Sequence, residues 1–408
     1  MTKEQNIASR YLWENEKPVL QVVAGAGSGK TYTLIEAVLN CSQKFCRGEE
    51  ICIVTFTKKA ANELKERLFN KGIEVGFAGT MHSLAYQLLS KAGMKSVINK
   101  NSKTLLNNLM KKMYPQYSHI PVDLVGIDNI LSVEEKEKLV INYNKEKEKL
   151  AVIDYDDLII KAKEMLEKKI LTHNYKVVFL DEFQDVSYFQ FLFINSLRYE
   201  KLFVVGDDWQ AIYKFRGGDV GLSLNFQKYV PNSQRVFLTK NFRSQKKIVQ
   251  LGNKVIKLSD KFIKKKLKAG ISSDKKPVLF INSKYESYHE ALIKYNEFRM
   301  KKNNLHPVTI LVRTNFIKRK LTPLILPGDQ ILTMHASKGL EFEKVLLFGI
   351  SENIMPHRWG DKDEETRLLY VGVTRAKKSL EFLAWEEKNR YSRFLPFLAK
   401  NCKIQYLK

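Results

Sequence analysis

The stretch that most limits what this chain can fold into is Gln21-Val-Val-Ala-Gly-Ala-Gly-Ser-Gly-Lys-Thr31. The apolar run Val19 to Val23 reads as a strand, and it breaks into a glycine-rich turn. A helical pattern through Leu34, Ile35, Val38 and Leu39 follows. A strand, a glycine loop and a helix N-terminus make an anion site, because backbone N–H groups and the helix dipole face one point. Ala24, Gly25, Ala26, Gly27, Ser28, Gly29, Lys30 and Thr31 are therefore expected to wrap a phosphate chain. Lys30 would reach its terminal phosphates, and the Thr31 hydroxyl is a ligand for Mg²⁺. The strict pattern places glycine where this chain has Ala24; Gly25 and Gly27 still supply permissive backbone angles beside it.

Phosphoryl transfer needs a metal-binding acid as well as a cradle. Val177-Val-Phe-Leu-Asp-Glu-Phe-Gln-Asp185 supplies one in the form of a buried parallel strand ending in carboxylates. Asp181 is expected to hold Mg²⁺, opposite Thr31, and Glu182 to orient and deprotonate the attacking water. Leu202-Phe-Val-Val-Gly-Asp-Asp-Trp-Gln210 repeats the grammar, which puts Gln210 at the terminal phosphate. Tyr213, Phe215 and Arg216 follow, aromatic and basic residues interleaved. They fit base stacking on single-stranded nucleic acid, and equally aromatics packed in a core.

Composition narrows the partner class without choosing it. Lys plus Arg is 69 against 44 Asp plus Glu, a net charge of +25. Such an excess favours nucleic-acid phosphates, although a lysine-rich proteome would leave the same signature. Cys41, Cys46, Cys52 and Cys402 lack paired spacing and nearby histidines, so they read as free thiols of a reducing compartment. No apolar run reaches the roughly 18 residues of a membrane span, and the N-terminus has no signal-peptide core. A soluble cytoplasmic protein is the expectation, with a nucleoid or viral replication site as variants, and no membrane partner.

In chain order, residues 1–16 read as a short helix in which Gln5 is a solvated polar residue. Ile51 to Phe56 reads as a second strand. It leads into Thr55-Phe-Thr-Lys-Lys-Ala-Ala61, whose Phe56 and Thr57 fall at a ligand-binding strand end. A third strand near Glu74 to Ala78 precedes Gly79-Thr-Met-His-Ser83. From about Ala85 to Ala151 the periodicity is helical throughout, with Ser132 and Glu135 forming a capping box. After Leu238, strands at Val278–Ile281, Val308–Val312, Ile331–Met334, Val345–Phe348 and Leu380–Ala384 alternate with helical segments, which argues a second mostly parallel sheet. The fold class is α/β: residues 1–84 and 151–237 as a first nucleotide-binding domain, 85–150 as a helical accessory insertion, and 238–408 as a second domain.

Taken in order, Ala-Gly-Ala-Gly-Ser-Gly-Lys-Thr, Phe-Thr-Lys-Lys-Ala-Ala, Gly-Thr-Met-His-Ser, Tyr-Asp-Asp-Leu, Leu-Asp-Glu-Phe-Gln-Asp and Val-Gly-Asp-Asp-Trp-Gln-Ala-Ile-Tyr resemble the motif series of the UvrD/Rep family of superfamily 1 helicases. Asn-Phe-Arg-Ser, Met-His-Ala-Ser-Lys-Gly-Leu-Glu-Phe and Leu-Leu-Tyr-Val-Gly-Val-Thr-Arg-Ala-Lys continue it. The resemblance spans Gln5 to Lys377. It implies two RecA-like P-loop NTPase domains and one Mg-ATP between them. It assigns Gln210, Arg243 and Arg375 to the γ-phosphate, Gln5 to the adenine edge, Phe242 to adenine stacking and Glu341 to the ribose. Phe56, Thr57, His82, Tyr213, Phe215, Arg216 and His335 fall on the single-strand path. The function implied is an ATP-dependent, 3′ to 5′ DNA helicase acting on single-stranded DNA and 3′-tailed duplex.

Three departures from the family stand out. Tyr32 replaces an adenine-stacking arginine, Trp209 replaces an aspartate for no reason legible in the sequence, and only a short connection runs from Arg313 to Ile331 where relatives carry a large insertion. A translocase that remodels protein–DNA complexes without unwinding, and a nucleotide-gated nucleic-acid binding module, are the competing readings. RNA as the track stays open, since charge and aromatics do not read the 2′-OH.

Overall fold

The computed structural model describes residues 1–94, 102–118, 130–214, 217–282, 287–303, 305–358, 360–385 and 392–407. The chain divides into two compact α/β units. The first comprises Met1–Val23, Lys30–Gly206 and Tyr213–Phe237; the second comprises Ala24–Gly29, Asp207–Ile212 and Leu238–Lys408.

In the first unit, β1 (Val19–Ala24), β2 (Ile51–Thr55), β3 (Phe77–Thr80), β4 (Val177–Leu180), β5 (Lys201–Gly206) and β6 (Ser233–Leu238) form one sheet in the order β3-β2-β4-β5-β1-β6. The β1–β5, β5–β4, β4–β2 and β2–β3 pairs are parallel. Every residue of β1, β2 and β4 is buried, as strands covered on both faces must be. That explains why they read in the sequence as unbroken apolar runs. Helices Lys30–Lys44, Lys58–Phe69 and Met81–Lys91 follow β1, β2 and β3. Phe77, Leu84, Leu88, Leu158, Phe183, Phe191 and Phe226 join the strands in one core.

Two local expectations shift. The third strand begins at Phe77 rather than Glu74, because the backbone before it is committed elsewhere. Gly76 N donates to Gly48 O at 3.0 Å, and a Cβ on Gly76 would lie 2.0 Å from the Glu49 carbonyl oxygen. Gln5 is buried rather than solvated, at 4% exposure. Its backbone N–H donates to Thr2 Oγ1 while its own Oε1 accepts from Thr2 N, a capping box that opens the helix Lys3–Glu14.

Between β3 and β4 helices are the only named regular elements among the described residues. Met110, Tyr114, Leu131 and Leu139 pack together from the helices Ser102–Met113 and Val133–Lys149 and the turn before the second. The Ser132 capping box is present, its Oγ accepting from Glu135 N at 3.2 Å. Lys147 ties this segment to the helix Tyr155–Glu167, with Nζ 2.9 Å from Asp154 and 2.8 Å from Asp157.

The second unit opens with a two-stranded parallel pair, β7 (Lys240–Gln245) and β8 (Lys268–Ile271). Its main sheet joins β9 (Val278–Asn282), β10 (Thr309–Val312), β11 (Gln330–Thr333), β12 (Phe342–Ile350), β13 (Ala376–Trp385) and β14 (Lys403–Leu407) in the order β11-β10-β12-β13-β9-β14, every pair parallel. The five strands expected here are β9 to β13. The strands β7, β8 and β14 carry too few buried residues to show in the sequence, and β8 and β14 are mostly exposed. From Arg313 to Ile331 the chain makes one short helix, Asn315–Leu321, and a single turn before β11. No helix among the described residues is long and apolar enough to cross a membrane.

Candidate nucleotide and nucleic-acid sites

The first unit presents its candidate residues at the carboxyl ends of parallel strands, where open α/β sheets hold ligands. Lys30 and Thr31 open the helix after β1, Phe56 and Thr57 follow β2, His82 follows β3, and Asp181 and Glu182 follow β4. Lys30 is the first residue of its helix, and its Nζ stands 3.7 Å from Glu182 Oε1. Both side chains keep some exposure, 14% and 24%. Glu182 adopts φ +52° and ψ +41°, the left-handed region that a residue with a Cβ enters at a cost. Two bonds hold it there: its N–H donates to Asp181 Oδ1 at 2.9 Å, and Gln184 Nε2 donates to Glu182 Oε2 at 2.5 Å. Asp181 is 7% exposed and is fixed by its own N–H donating to Val54 O.

The glycine loop itself groups with the second unit. Gly27 and Gly29 have φ of +67° and +81°, so the turn uses their freedom directly. Gly25 is required for a different reason, since a Cβ there would fall 2.1 Å from Leu267 Cδ2. Ala24 is fully buried at the end of β1 and keeps a negative φ, so glycine is not needed at that position. Strand β7 anchors the loop: Asn241 Nδ2 donates to Ala26 O at 2.6 Å and Phe242 N to Gly27 O at 2.9 Å. Asn241 Oδ1 in turn accepts from the N–H groups of Arg243 and Ser244. Sequence reasoning gave Asn241 no role. Its place beside Arg243 was visible, but its contact lies 215 residues back along the chain.

Also in the second unit, Arg243 Nε donates to Glu341 Oε2 at 2.6 Å, and Lys377 Nζ is 2.7 Å from Glu341 Oε1. Partial burial pushes the Glu341 carboxyl up, but hydrogen bonds from Lys377 and Arg243 outweigh it and hold the group below the usual glutamate range. Arg375 is 1% exposed, immediately before β13, and donates to Val371 O, Leu340 O, Thr374 Oγ1 and Gln210 Oε1. Phe242 is 46% exposed, a ring open to a flat ligand, with Lys240 Nζ 5.2 Å from its centroid. Tyr32, in the first unit, is likewise exposed.

Among the residues expected on a single-strand path, Phe56 and Tyr213 stack on each other, centroids 4.9 Å apart and rings 18° from parallel. Both are half-buried rather than sunk in a core. Thr57 caps the helix Lys58–Phe69, its Oγ1 accepting from Ala60 N. His82 meets the edge of Tyr155 at 5.3 Å. Burial pushes the His82 imidazole down, against the opposing pull of Asp156 and Asp154. His335 sits in the single turn after β11, half-buried. Phe215 and Arg216 lie outside the described residues.

The donor set suits magnesium in a nucleotide complex. Mg²⁺ there takes one or two carboxylates and completes its shell with phosphate oxygens and water, and Asp181 directly after β4 and the Thr31 hydroxyl in the first turn of its helix are donors of that kind. All four cysteines are free thiols.

Trp209 receives an explanation that the sequence withheld. It is 1% exposed, meets Tyr370 edge-on at 5.4 Å, and its Nε1 donates to Ile263 O at 3.1 Å. It is a packing residue of the second unit.

The chain is similar to known proteins over much of its length. Residues 10–216 match the AAA domain family and residues 329–387 match the UvrD-like helicase C-terminal domain. YjcD of Bacillus subtilis, provisionally named an ATP-dependent DNA helicase, is 31% identical over 345 residues, covering 74% of this chain and 45% of that protein. The ATP-dependent DNA helicase PcrA of the same organism is 29% identical over 275 residues, 58% of this chain and 37% of PcrA. A Mycoplasma pneumoniae protein, provisionally named a DNA helicase, is 26% identical over 445 aligned positions, covering 93% of this chain and 84% of that protein. The chain thus spans less than half the length of the first two relatives.

Proposed function

This chain belongs to the UvrD/Rep-like superfamily 1 helicases, and on that footing we propose that it is an ATP-driven single-stranded DNA translocase with 3′ to 5′ helicase activity. The observation that carries the reading is the arrangement after β4: Lys30 opposite Glu182 at 3.7 Å, with Asp181 beside it and Glu182 held in a strained left-handed backbone. A carboxylate placed at such a cost, half open and bonded by Gln184, suits a general base that must meet a water. Lys30 and the loop 24–29 would bind the phosphates, and ATP would displace Glu182 from Lys30. Thr31 and Asp181 would hold Mg²⁺, which when bound neutralises phosphate charge. Arg243, Arg375 and Gln210 would meet the γ-phosphate, where guanidinium groups lower the barrier by offsetting transition-state charge. Gln5, Tyr32, Phe242 and Glu341 would bind the adenosine.

For the track, the Phe56–Tyr213 stack offers a ring surface to a base, and Thr57, His82 and His335 would line the same path with Phe215 and Arg216. Residues 1–84 with 151–237, and 238–408, would act as the two motor domains, 85–150 as an accessory, in a reducing compartment such as the cytoplasm. The short connection Thr314–Asp329, where relatives carry an insertion, favours one alternative: a translocase that strips proteins without separating duplex.

The test is ATP hydrolysis with single-stranded DNA, single-stranded RNA and neither, followed by strand displacement on 3′-tailed, 5′-tailed and blunt duplexes. Strong stimulation by single-stranded DNA and unwinding from a 3′ tail are expected. Stimulation without unwinding selects the stripping translocase; unwinding only from a 5′ tail rejects the polarity.

A further inference from the structure

Lys265 belongs to a lysine-rich run, and its neighbours Lys264 and Lys266 are exposed. Its own side chain turns inward and is fully enclosed, 0% exposed, between the carboxylates of Asp207 and Asp208. Nζ lies 2.9 Å from Asp207 Oδ1 and 2.5 Å from Asp208 Oδ1, and 4.6 Å from the centroid of the Trp209 ring. Burial pushes this ammonium down, but the two carboxylates outweigh it and hold it above the usual lysine range. Asp208 Oδ2 also accepts from Ile263 N at 2.7 Å, which closes the 263–265 turn onto the acids.

The two carboxylates do different things. Asp208 uses both oxygens within the turn. Asp207 shares Oδ1 between Lys265 and Trp209 N, and its Oδ2 accepts from Gln210 Nε2 at 2.5 Å. With Nε2 given to a carboxylate, Gln210 has one way round, and its Oε1 must face the opposite side. There it accepts from Arg375 Nη2 at 2.9 Å. An amide read from one end by an anion and from the other by a cation cannot turn over without meeting two repulsive contacts at once.

We propose that Lys265 is a positioning residue for nucleotide hydrolysis: by holding the Asp207 carboxylate oriented, it fixes Gln210 and, through Gln210, the guanidinium of Arg375. The proposal rests on the reading that Arg375 meets the nucleotide's phosphates. Without the ammonium, Asp207 is left buried without its charge partner and rotates. With the acceptor of its Nε2 displaced, Gln210 turns over, and its NH₂ is set against the donors of Arg375. The loss thus travels from a side chain with no route to a ligand to the one proposed to touch it.

Lys265→Met alone leaves two buried acids with one cation fewer and endangers folding, so the decisive variant is Lys265→Met/Asp208→Asn, which keeps the net charge of the trio. We expect it to melt close to the wild type. Its kcat for ATP with single-stranded DNA should fall about tenfold or more, with KM for ATP changed less than about twofold. Added to Arg375→Ala, the pair should cost less than about twofold further, because the route to Arg375 is already cut. A wild-type kcat in the charge-matched variant overturns the proposal, as does a loss that multiplies in full with that of Arg375→Ala. Asp208→Asn alone, which leaves the Lys265–Asp207 contact, should retain most of the rate; a loss equal to that of the double variant assigns the effect to Asp208 and overturns the role of Lys265. If the wild type hydrolyses no ATP with any nucleic acid, the functional reading fails first and the positioning role falls with it.

Discussion

Two lysines of this molecule face carboxylates, and they do so in opposite ways. Lys30 meets Glu182 across 3.7 Å with both side chains partly exposed, while Lys265 meets Asp207 and Asp208 at 2.9 and 2.5 Å with every partner enclosed. The first pair is long and loosely held, which keeps the ammonium available to a more highly charged anion. The second is short and saturated, and a ligand would have to unfold the turn to reach it. Breaking a buried pair strands a charge, whereas a half-exposed pair exchanges its partner for water at little cost. The same residue type is therefore open to a ligand in one unit and closed in the other, and burial is what separates the two.

The strongest way to sharpen the contrast is Glu182→Gln, which leaves the open pair's shape and removes its basicity. Turnover should fall by about 10³-fold, roughly 4 kcal/mol of transition-state stabilisation, while equilibrium ATP binding stays within about threefold. Unchanged turnover would mean that the strained carboxylate is not the base. Next in size is a stability comparison by urea unfolding. Trp209→Ala, beside the closed cluster, should cost about 3 kcal/mol through the cavity it leaves, and Lys30→Met less than about 1 kcal/mol. Equal losses from the two would erase the distinction. The smallest effect is alkaline. The folded-state pKa of Lys265 is raised, so its contribution is fully present below the unfolded lysine value of about 10.4 and is lost as pH rises through the higher folded value. Thermal melts above pH 10 should decline more steeply for the wild type than for Lys265→Met/Asp208→Asn, and parallel declines would show that the cluster does not hold its charge as described.

Much of the fold was legible because its strands are buried on both faces. β1, β2 and β4 read as unbroken apolar runs, and the glycines and carboxylates stand immediately after them. The strands that the sequence reading did not expect, β6, β7, β8 and β14, have little to bury and so leave no unbroken apolar run. Within the candidate sites, a local signal marked Lys30, Thr31, Asp181 and Glu182, since spacing along one strand–turn–helix places them. No such signal marked Asn241 or Lys265: one bonds Ala26 and the other Asp207, far away in the chain. Gln5 was misread as solvated because its capping partner, Thr2, is visible only once the helix start is fixed.

By itself the sequence determined the class of this protein: two parallel α/β sheets, with a glycine loop and paired acids standing directly after their strands. It could do so because strand periodicity and loop chemistry are written in neighbouring residues. Only the tertiary structure decided which charges are open and which are closed. It turned one lysine of a basic run inward, gave Trp209 a packing role, and set Gln210 between an acid and an arginine. Those outcomes depend on which distant side chains share a buried volume, where an unpaired charge is too costly to persist, and no spacing along the chain records that.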